Sequence, residues 1–327
     1  MQQRNLAEPE VVALCRKTWG RAPEAIDYPG GRDRKTLVVQ VEGRKYVLSQ
    51  RSSAARAGLE AEALRALAPA GTVPGLVAQE GRLVIQTWVA GRRLTEALEA
   101  ADQAGRAALL TAAGEGLLDL QQRGASAGLL GLAPGIAERP GWLLDFASAP
   151  MRLAEDRGLP QPGFDHWAVA DRLRRRHAAF VKWDARPGNA LLLPPEAVSW
   201  IDWEHCGVGS PEDDLVWLLA DEWAPISPVA EGRLLARAAQ QGPFGADELT
   251  YRFRAKAILH SAIRLSLIFR RKGDGPWWNP RSAMRLDRVG VSPAHVRRLC
   301  RRAAGWSAET EGFSQLVALF QAVARAV

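Results

Sequence analysis

Apolar positions along the chain change their spacing several times, and the changes divide it. Residues 8–19 repeat at helical spacing, with Pro9 in the first turn, where its missing N–H is harmless. Tyr28-Pro29-Gly30-Gly31 then reads as a turn. Two β-rich runs follow, TLVVQV (36–41) and KYVLSQ (45–50), and the short joint Glu42-Gly43-Arg44 makes them a hairpin. The period returns to helical over 54–68, where Leu59, Ala63, Leu64 and Leu67 share a face and Gly71 with Pro74 stops the run. A second hairpin is expected over 75–88, turned at Gln79-Glu80-Gly81. After Gly91 the texture becomes helical over 92–123, then irregular and rich in Gly and Pro over 124–164, with a helix near 165–177. Residues 178–204 hold a short strand, a polar loop and a hairpin turned by Pro194-Pro195; from 211 onward the pattern is helical, broken at 273–282. The expected architecture is α+β, with a small β-rich lobe (1–88), a hinge, and a larger, mainly helical lobe (89–327). There is no internal repeat.

The chemistry concentrates in Lys182-Trp183-Asp184-Ala185-Arg186-Pro187-Gly188-Asn189 and, beyond the hairpin, Ile201-Asp202-Trp203-Glu204. Phosphoryl transfer needs a group that orients the attacking hydroxyl and accepts its proton, and oxygen ligands for a divalent metal against the phosphates. Few protein ligands suffice for Mg²⁺, because phosphate and water complete its shell. An Asp, an Asn five residues on, and a second Asp after the next strands supply that set. Each alone is an ordinary turn residue; the combination is far more specific.

This D-x-x-P-x-N followed by I-D-W-E resembles the aminoglycoside phosphotransferase and choline kinase superfamily, whose wording is close to H-G-D-x-H-P-x-N, then I-D-[WF]-E. The later G-x-x-x-x-D-L pattern also occurs, as Gly209-Ser210-Pro211-Glu212-Asp213-Asp214-Leu215. The specific match covers 182–215, and the order of the lobes agrees along the rest. The resemblance implies a two-lobed protein-kinase-like fold and transfer of the γ-phosphate of Mg-bound ATP, with GTP also possible, to a small-molecule hydroxyl. It implies that Asp184 is the catalytic base or hydroxyl-orienting group, that Asn189 and Asp202 hold Mg²⁺, and that Arg186 meets the transferring phosphoryl. Asp214 would hold the catalytic loop from below, and Glu204 would assist the metal or only polarise its surroundings.

The chain departs from the family in several places. Lys182 stands where His usually braces the loop, and it can brace the loop differently or sit near the phosphates. Ser49 stands where the third strand normally carries a phosphate-pairing Lys. Arg51 shares that face by period-two alternation, so it is the candidate replacement, with Glu60 as its helix partner and Glu62 as fallback. Gly30 and Gly31 form a reduced glycine loop whose N–H groups can approach phosphate, or a plain turn. These departures keep a second reading open, a catalytically degenerate nucleotide-binding scaffold or regulator.

Composition adds limits. The net charge is +7, yet no nucleic-acid-binding signature accompanies it, so nucleic acid is not an expected partner. Residues 228–327, the acceptor end in this superfamily, carry 17 Lys and Arg against 7 Asp and Glu, which favours a neutral or anionic acceptor over a polycationic aminoglycoside. Trp277 and Trp278, in the helical break, are candidates to line a pocket or to plug a helix end. Three widely spaced cysteines and no long uncharged apolar run read as a cytoplasmic, reduced protein without a membrane span. Oligomeric state is not legible.

Overall fold

The computed structural model describes residues 8–29, 31, 35–195 and 197–327. Gly30, half of the reduced glycine loop, lies outside the described residues; Gly31 lies within them, with φ 95°. Helix α1 (Glu8–Trp19) leads into a five-stranded antiparallel sheet of β1 (Ala25–Asp27), β2 (Thr36–Val41), β3 (Arg44–Gln50), β4 (Leu76–Glu80) and β5 (Leu83–Thr87), in the order β1-β2-β3-β5-β4. Helix α2 (Ala54–Leu67) interrupts the strands, started by Ser53, whose hydroxyl accepts from the Arg56 N–H.

The two faces of the sheet bury different things. Leu37, Val39, Val41, Leu48 and Ile85 pack against Val11, Leu14 and Cys15 of α1 as a separate small core. Val84, one residue from Ile85 and therefore on the other face, joins Leu59, Ala63, Leu64 and Leu67 of α2 in a core that continues through the second lobe. The alternation along β5 thus welds α2 to the larger lobe while α1 closes the outer side. A chain boundary at residue 88 is not a boundary of the core.

The larger lobe opens with β6 (Arg92–Arg93), α3 (Leu94–Ala100) and α4 (Gln103–Ser126), followed by short helices α5 (Leu129–Leu132), α6 (Trp142–Ala147), α7 (Ala149–Asp156) and α8 (His166–Arg172). Then come β7 (Ala179–Val181), β8 (Ala190–Leu193), β9 (Ala197–Trp200) and β10 (Gly207–Gly209). The rest is helical: α9 (Asp213–Leu219), α10 (Pro228–Gln241), α11 (Ala246–Lys272), α12 (Pro280–Arg285), α13 (Pro293–Glu309) and α14 (Leu316–Arg325). The small sheets β6-β8-β9 and β7-β10 carry the polar loops between them.

The expected elements meet four corrections. The run 92–123 is a strand and two helices, because Asp102 caps α4 by accepting from the Gly105 N–H at 2.7 Å. The span 124–164 holds three helices; Gly128 and Gly141, read as loop signals, precede two of them in left-handed conformation. The turn of the second hairpin is Gly81-Arg82, one residue later than expected. Strands β1 and β10 are three residues each, too short for a period to register. Among the described residues no helix is long and apolar enough to cross a membrane, and Cys15, Cys206 and Cys300 are buried free thiols.

Candidate active site

The loop between β7 and β8 and the loop after β9 meet where Arg51 of the small lobe reaches the larger one, a junction called the cleft. Trp183, Asp184 and Asp202 all have positive φ, at 55°, 44° and 59°, a region that costs a non-glycine residue about 1–3 kcal/mol. Trp183 stands where the superfamily wording has Gly, the residue that would adopt this backbone freely.

Asp214 supplies what holds the strained turn. Its Oδ2 accepts from the Lys182 N–H at 3.0 Å and its Oδ1 from the Trp183 N–H at 2.8 Å, with Gln121 Nε2 adding a third bond at 3.1 Å. Burial pushes the Asp214 carboxyl up to about 6, against those three donors, which pull the other way. Its two neighbours anchor α9. Glu212 meets Arg252 at 3.0 Å and Lys256 at 2.8 Å, and Asp213 meets Lys256 at 2.6 Å and the Ser210 N–H at 2.7 Å. Gly209 is required by that packing: a Cβ there would lie 2.7 Å from Asp213 Oδ2 and from a Val181 methyl.

Lys182 is resolved as a brace. It is 2% exposed, and its Nζ donates to the carbonyls of Asp202 at 3.0 Å and Asp184 at 3.4 Å, tying the two loops together. The rings of Trp200 and Trp203 each lie 5.8 Å from it. Burial lowers its pKa, with Asp184, Asp202 and Asp214 opposing the shift.

Asn189 is buried, and its Nδ2 donates to the Asp184 carbonyl and to Asp184 Oδ2, both at 2.9 Å. With the amide nitrogen so engaged, its Oδ1 is the atom turned to other partners. The Ile201 N–H donates to the Asn189 carbonyl at 2.9 Å, and Ala190 pairs with Trp200, so the hairpin brings Asn189 and Asp202 to the same end. The Asp202 side chain remains 39% exposed.

From the upper lobe, Arg51 reaches this end. It follows β3 directly, pairs with both oxygens of Glu60 through Nε at 2.5 Å and Nη2 at 2.6 Å, and extends Nη1 to Glu204 at 3.1 Å and Asp202 at 3.3 Å. Glu60 is fully buried, whereas Glu62 faces outward and pairs with Arg65. Ser49 bonds Thr36. Burial disfavours the Arg51 charge, but Glu60, Asp202 and Glu204 together outweigh it, and the pKa rises. Glu204 is held down at about 2, first by a hydrogen bond from His205 and then by Arg51, while burial opposes both.

On the other side, Arg186 Nε lies 3.4 Å from Asp184 Oδ1, and its Nη2 lies 3.2 Å from Asp287. Asp287 also faces Arg93 at 3.7 Å, and Arg93 donates to the Gly188 carbonyl. No local pattern in the sequence marks Asp287 or Arg93 as a partner of this loop. Trp277 and Trp278 are both half-buried and packed on neighbouring side chains. Trp277 packs edge-on to Phe269, and Trp278 packs beside Trp223 and Met284, its N–H held by the Val291 carbonyl.

Comparison with known proteins now bears on this geometry. The sequence model of the Phosphotransferase enzyme family matches residues 24–251, more than two thirds of the chain. The chain belongs to that family. Solved structures agree on the fold. An aminoglycoside phosphotransferase from Alicyclobacillus acidocaldarius is 14% identical, with TM-score 0.59 over 99% of this chain and 98% of its own. An amicoumacin kinase in complex with AMP-PNP and Ca²⁺ is 15% identical, with TM-score 0.58 over 93% and 94%. A choline/ethanolamine kinase family protein from Mesorhizobium loti is 17% identical, with TM-score 0.55 over 91% and 92%. No curated protein sequence matches. The family member therefore has the two-lobed kinase-like fold, a small sheet lobe above a larger helical one.

Proposed function

We propose that this family member transfers the γ-phosphate of Mg-bound ATP to a hydroxyl of a small, neutral or anionic molecule. The observation that carries the reading is the convergence of Asp184, Asn189 and Asp202 at one end of the β8–β9 hairpin, with Arg51 arriving from the upper lobe.

The residues suit magnesium and nucleotide. Asn189, its nitrogen engaged by Asp184, has its amide oxygen left as a donor, and Asp202 offers a partly exposed carboxylate, so both are the hard oxygens Mg²⁺ prefers. Among the described residues no group of three or more His, Cys, Asp or Glu side chains is arranged to hold a metal. When bound, the magnesium nucleotide supplies the phosphoryl group and a cation against its charge.

The chain's own groups do the rest. Asp184, fixed by Asn189 at one oxygen, orients the acceptor hydroxyl and accepts its proton. Arg51, pre-set by Glu60, presents Nη1 toward the phosphate side. Lys182 and Asp214 keep the loop in its strained shape. The cation missing from Ser49 and the brace missing from position 182 both have replacements here, which favours catalysis over a degenerate scaffold. For the acceptor, the exposed Arg281, Arg285 and Arg288 beside the Asp287 loop favour a neutral or anionic molecule, whereas Arg252, Arg254 and Arg264 are engaged by Glu212, Glu231 and Glu222.

Calorimetry with MgATP tests the reading on wild type and Asp202→Asn. Binding that requires Mg²⁺ and weakens in the variant supports it. Absence of binding with both ATP and GTP overturns it together with the nucleotide-binding scaffold, binding without turnover of any hydroxyl acceptor favours that scaffold, and preferred turnover of an aminoglycoside would overturn the acceptor class.

A further inference from the structure

Asp287 comes to the catalytic loop from the segment joining α12 to α13, 101 residues beyond Arg186. Its backbone sits at φ 50°, a conformation few non-glycine residues adopt, and the contacts explain why it is held there. Oδ2 takes the Arg186 Nη2 at 3.2 Å and faces Arg93 Nη1 at 3.7 Å. Oδ1 lies so close to Gly188 that a Cβ at that position would be 2.3 Å away. Arg93 in turn donates to the Gly188 carbonyl. A carboxylate of the helical lobe is thus pressed against the loop that carries Asp184, with one guanidinium between them.

Arg186 has a side chain only 15% exposed, so its charge must be met by protein groups. Without Asp287 it would be drawn fully onto Asp184 and would compete with a hydroxyl for that carboxylate. The geometry points to Asp287 as a positioning residue: by sharing Arg186 it sets how closely Arg186 approaches Asp184 and keeps a carboxylate oxygen available to the acceptor. Gly188 belongs to the same device, because any side chain there displaces the Asp287 carboxylate. The inference rests on the proposed role of Asp184.

The test uses slow hydrolysis of MgATP, with water in the acceptor's place, on wild type, Asp287→Asn, Gly188→Ala and the double variant, alongside MgATP calorimetry and melting temperature. Each single variant is expected to lose about 10- to 100-fold in kcat, the scale of a misplaced catalytic group. KM for MgATP and melting temperature are expected to stay near wild type. The double variant is expected to be no worse than the weaker single, because both substitutions break one contact. A wild-type kcat in Asp287→Asn, or losses that multiply, overturns the inference. If wild type binds MgATP but hydrolyses it too slowly to follow, amide hydrogen exchange over residues 183–190 decides: faster exchange in Asp287→Asn supports the inference and unchanged exchange overturns it. A wild type that does not bind MgATP overturns the phosphotransferase reading as well, which separates that failure from this one.

Discussion

Two arginines flank the cleft, and they are held in different ways. Arg51 belongs to the small lobe, and its partner Glu60 lies nine residues away on the next helix. Its bidentate pair is almost fully buried, at 5% and 0% side-chain exposure, and only Nη1 looks across to Asp202 and Glu204. Arg186 belongs to the large lobe and is shared between Asp184, two residues away, and Asp287, 101 residues away. The first arrangement is local and rigid, a cation preset before any ligand arrives. The second is long-range, and it makes the shape of the catalytic loop depend on where the C-terminal helices sit. Under the proposed function the first side would meet the phosphates, while the second ties the loop of Asp184 to the C-terminal helices.

The largest effect is expected at Asp184, the carboxylate that Arg186 approaches. Asp184→Asn is expected to lower turnover about 10²- to 10⁴-fold, the range for losing a general base, while MgATP affinity by calorimetry changes little. Equal losses in both would place Asp184 in nucleotide binding instead. Next comes Arg51→Ala. It strands Glu60 in the core and is expected to cost roughly 3–5 kcal/mol in denaturant unfolding, together with weaker nucleotide binding. A fully stable variant would show that the buried pair is not the anchor of the upper lobe. Arg51→Lys should recover part of the affinity, since a single ammonium cannot match both oxygens of Glu60.

A subtler effect concerns the loop that joins the two sides. The Asp214 carboxyl is raised to about 6, above its ordinary value of 3.8. Between those values the folded protein retains a proton the unfolded chain has lost, so this group makes folding stability fall as pH rises through that window and level off above it. The shift corresponds to about 3 kcal/mol. Turnover should run the opposite way, because only the carboxylate accepts from Lys182, Trp183 and Gln121 together. Activity is expected to rise through pH 6 in wild type, and Asp214→Asn should lose that inflection. An inflection that survives in the variant assigns it to another group. The smallest effect is expected at the exposed pair Lys17–Glu80, 2.6 Å apart but with side chains 67% and 51% exposed. Lys17→Ala should change unfolding free energy by less than about 1 kcal/mol, and a larger change would mean that α1 is fixed by charge rather than by its small apolar core.

Much of the site was legible before any coordinates. Asp184, Asn189 and Asp202 stand at fixed spacings on one loop and one hairpin, and spacing is a property of the chain, so their meeting at one end of that hairpin is readable from the sequence. Arg51 with Glu60 was found because period-two alternation and one following helix suffice to bring them together. Lys182 was only half legible. Its identity was plain, but whether an ammonium turns to phosphate or to carbonyls depends on how deeply Trp200 and Trp203 bury it. The connector over 124–164 was misread because glycines that precede short helices in left-handed conformation look the same, in sequence, as glycines that end them.

By itself, then, the sequence determined the strand and helix periods, the order of the lobes and the oxygen-rich set at the cleft, because each depends on interactions within about 20 residues. Only the tertiary structure decided that α2 shares the core of the large lobe, that Glu212, Asp213 and Asp214 anchor two helices and a loop, and that Asp287 and Arg93 close on Gly188. Those contacts reach far along the chain: Asp287 lies 101 positions from Arg186 and 194 from Arg93. A carboxylate that far along the chain carries no local mark of its partner. Its place is set by the packing of the helices between, which the summed burial of many apolar side chains fixes and no single residue announces.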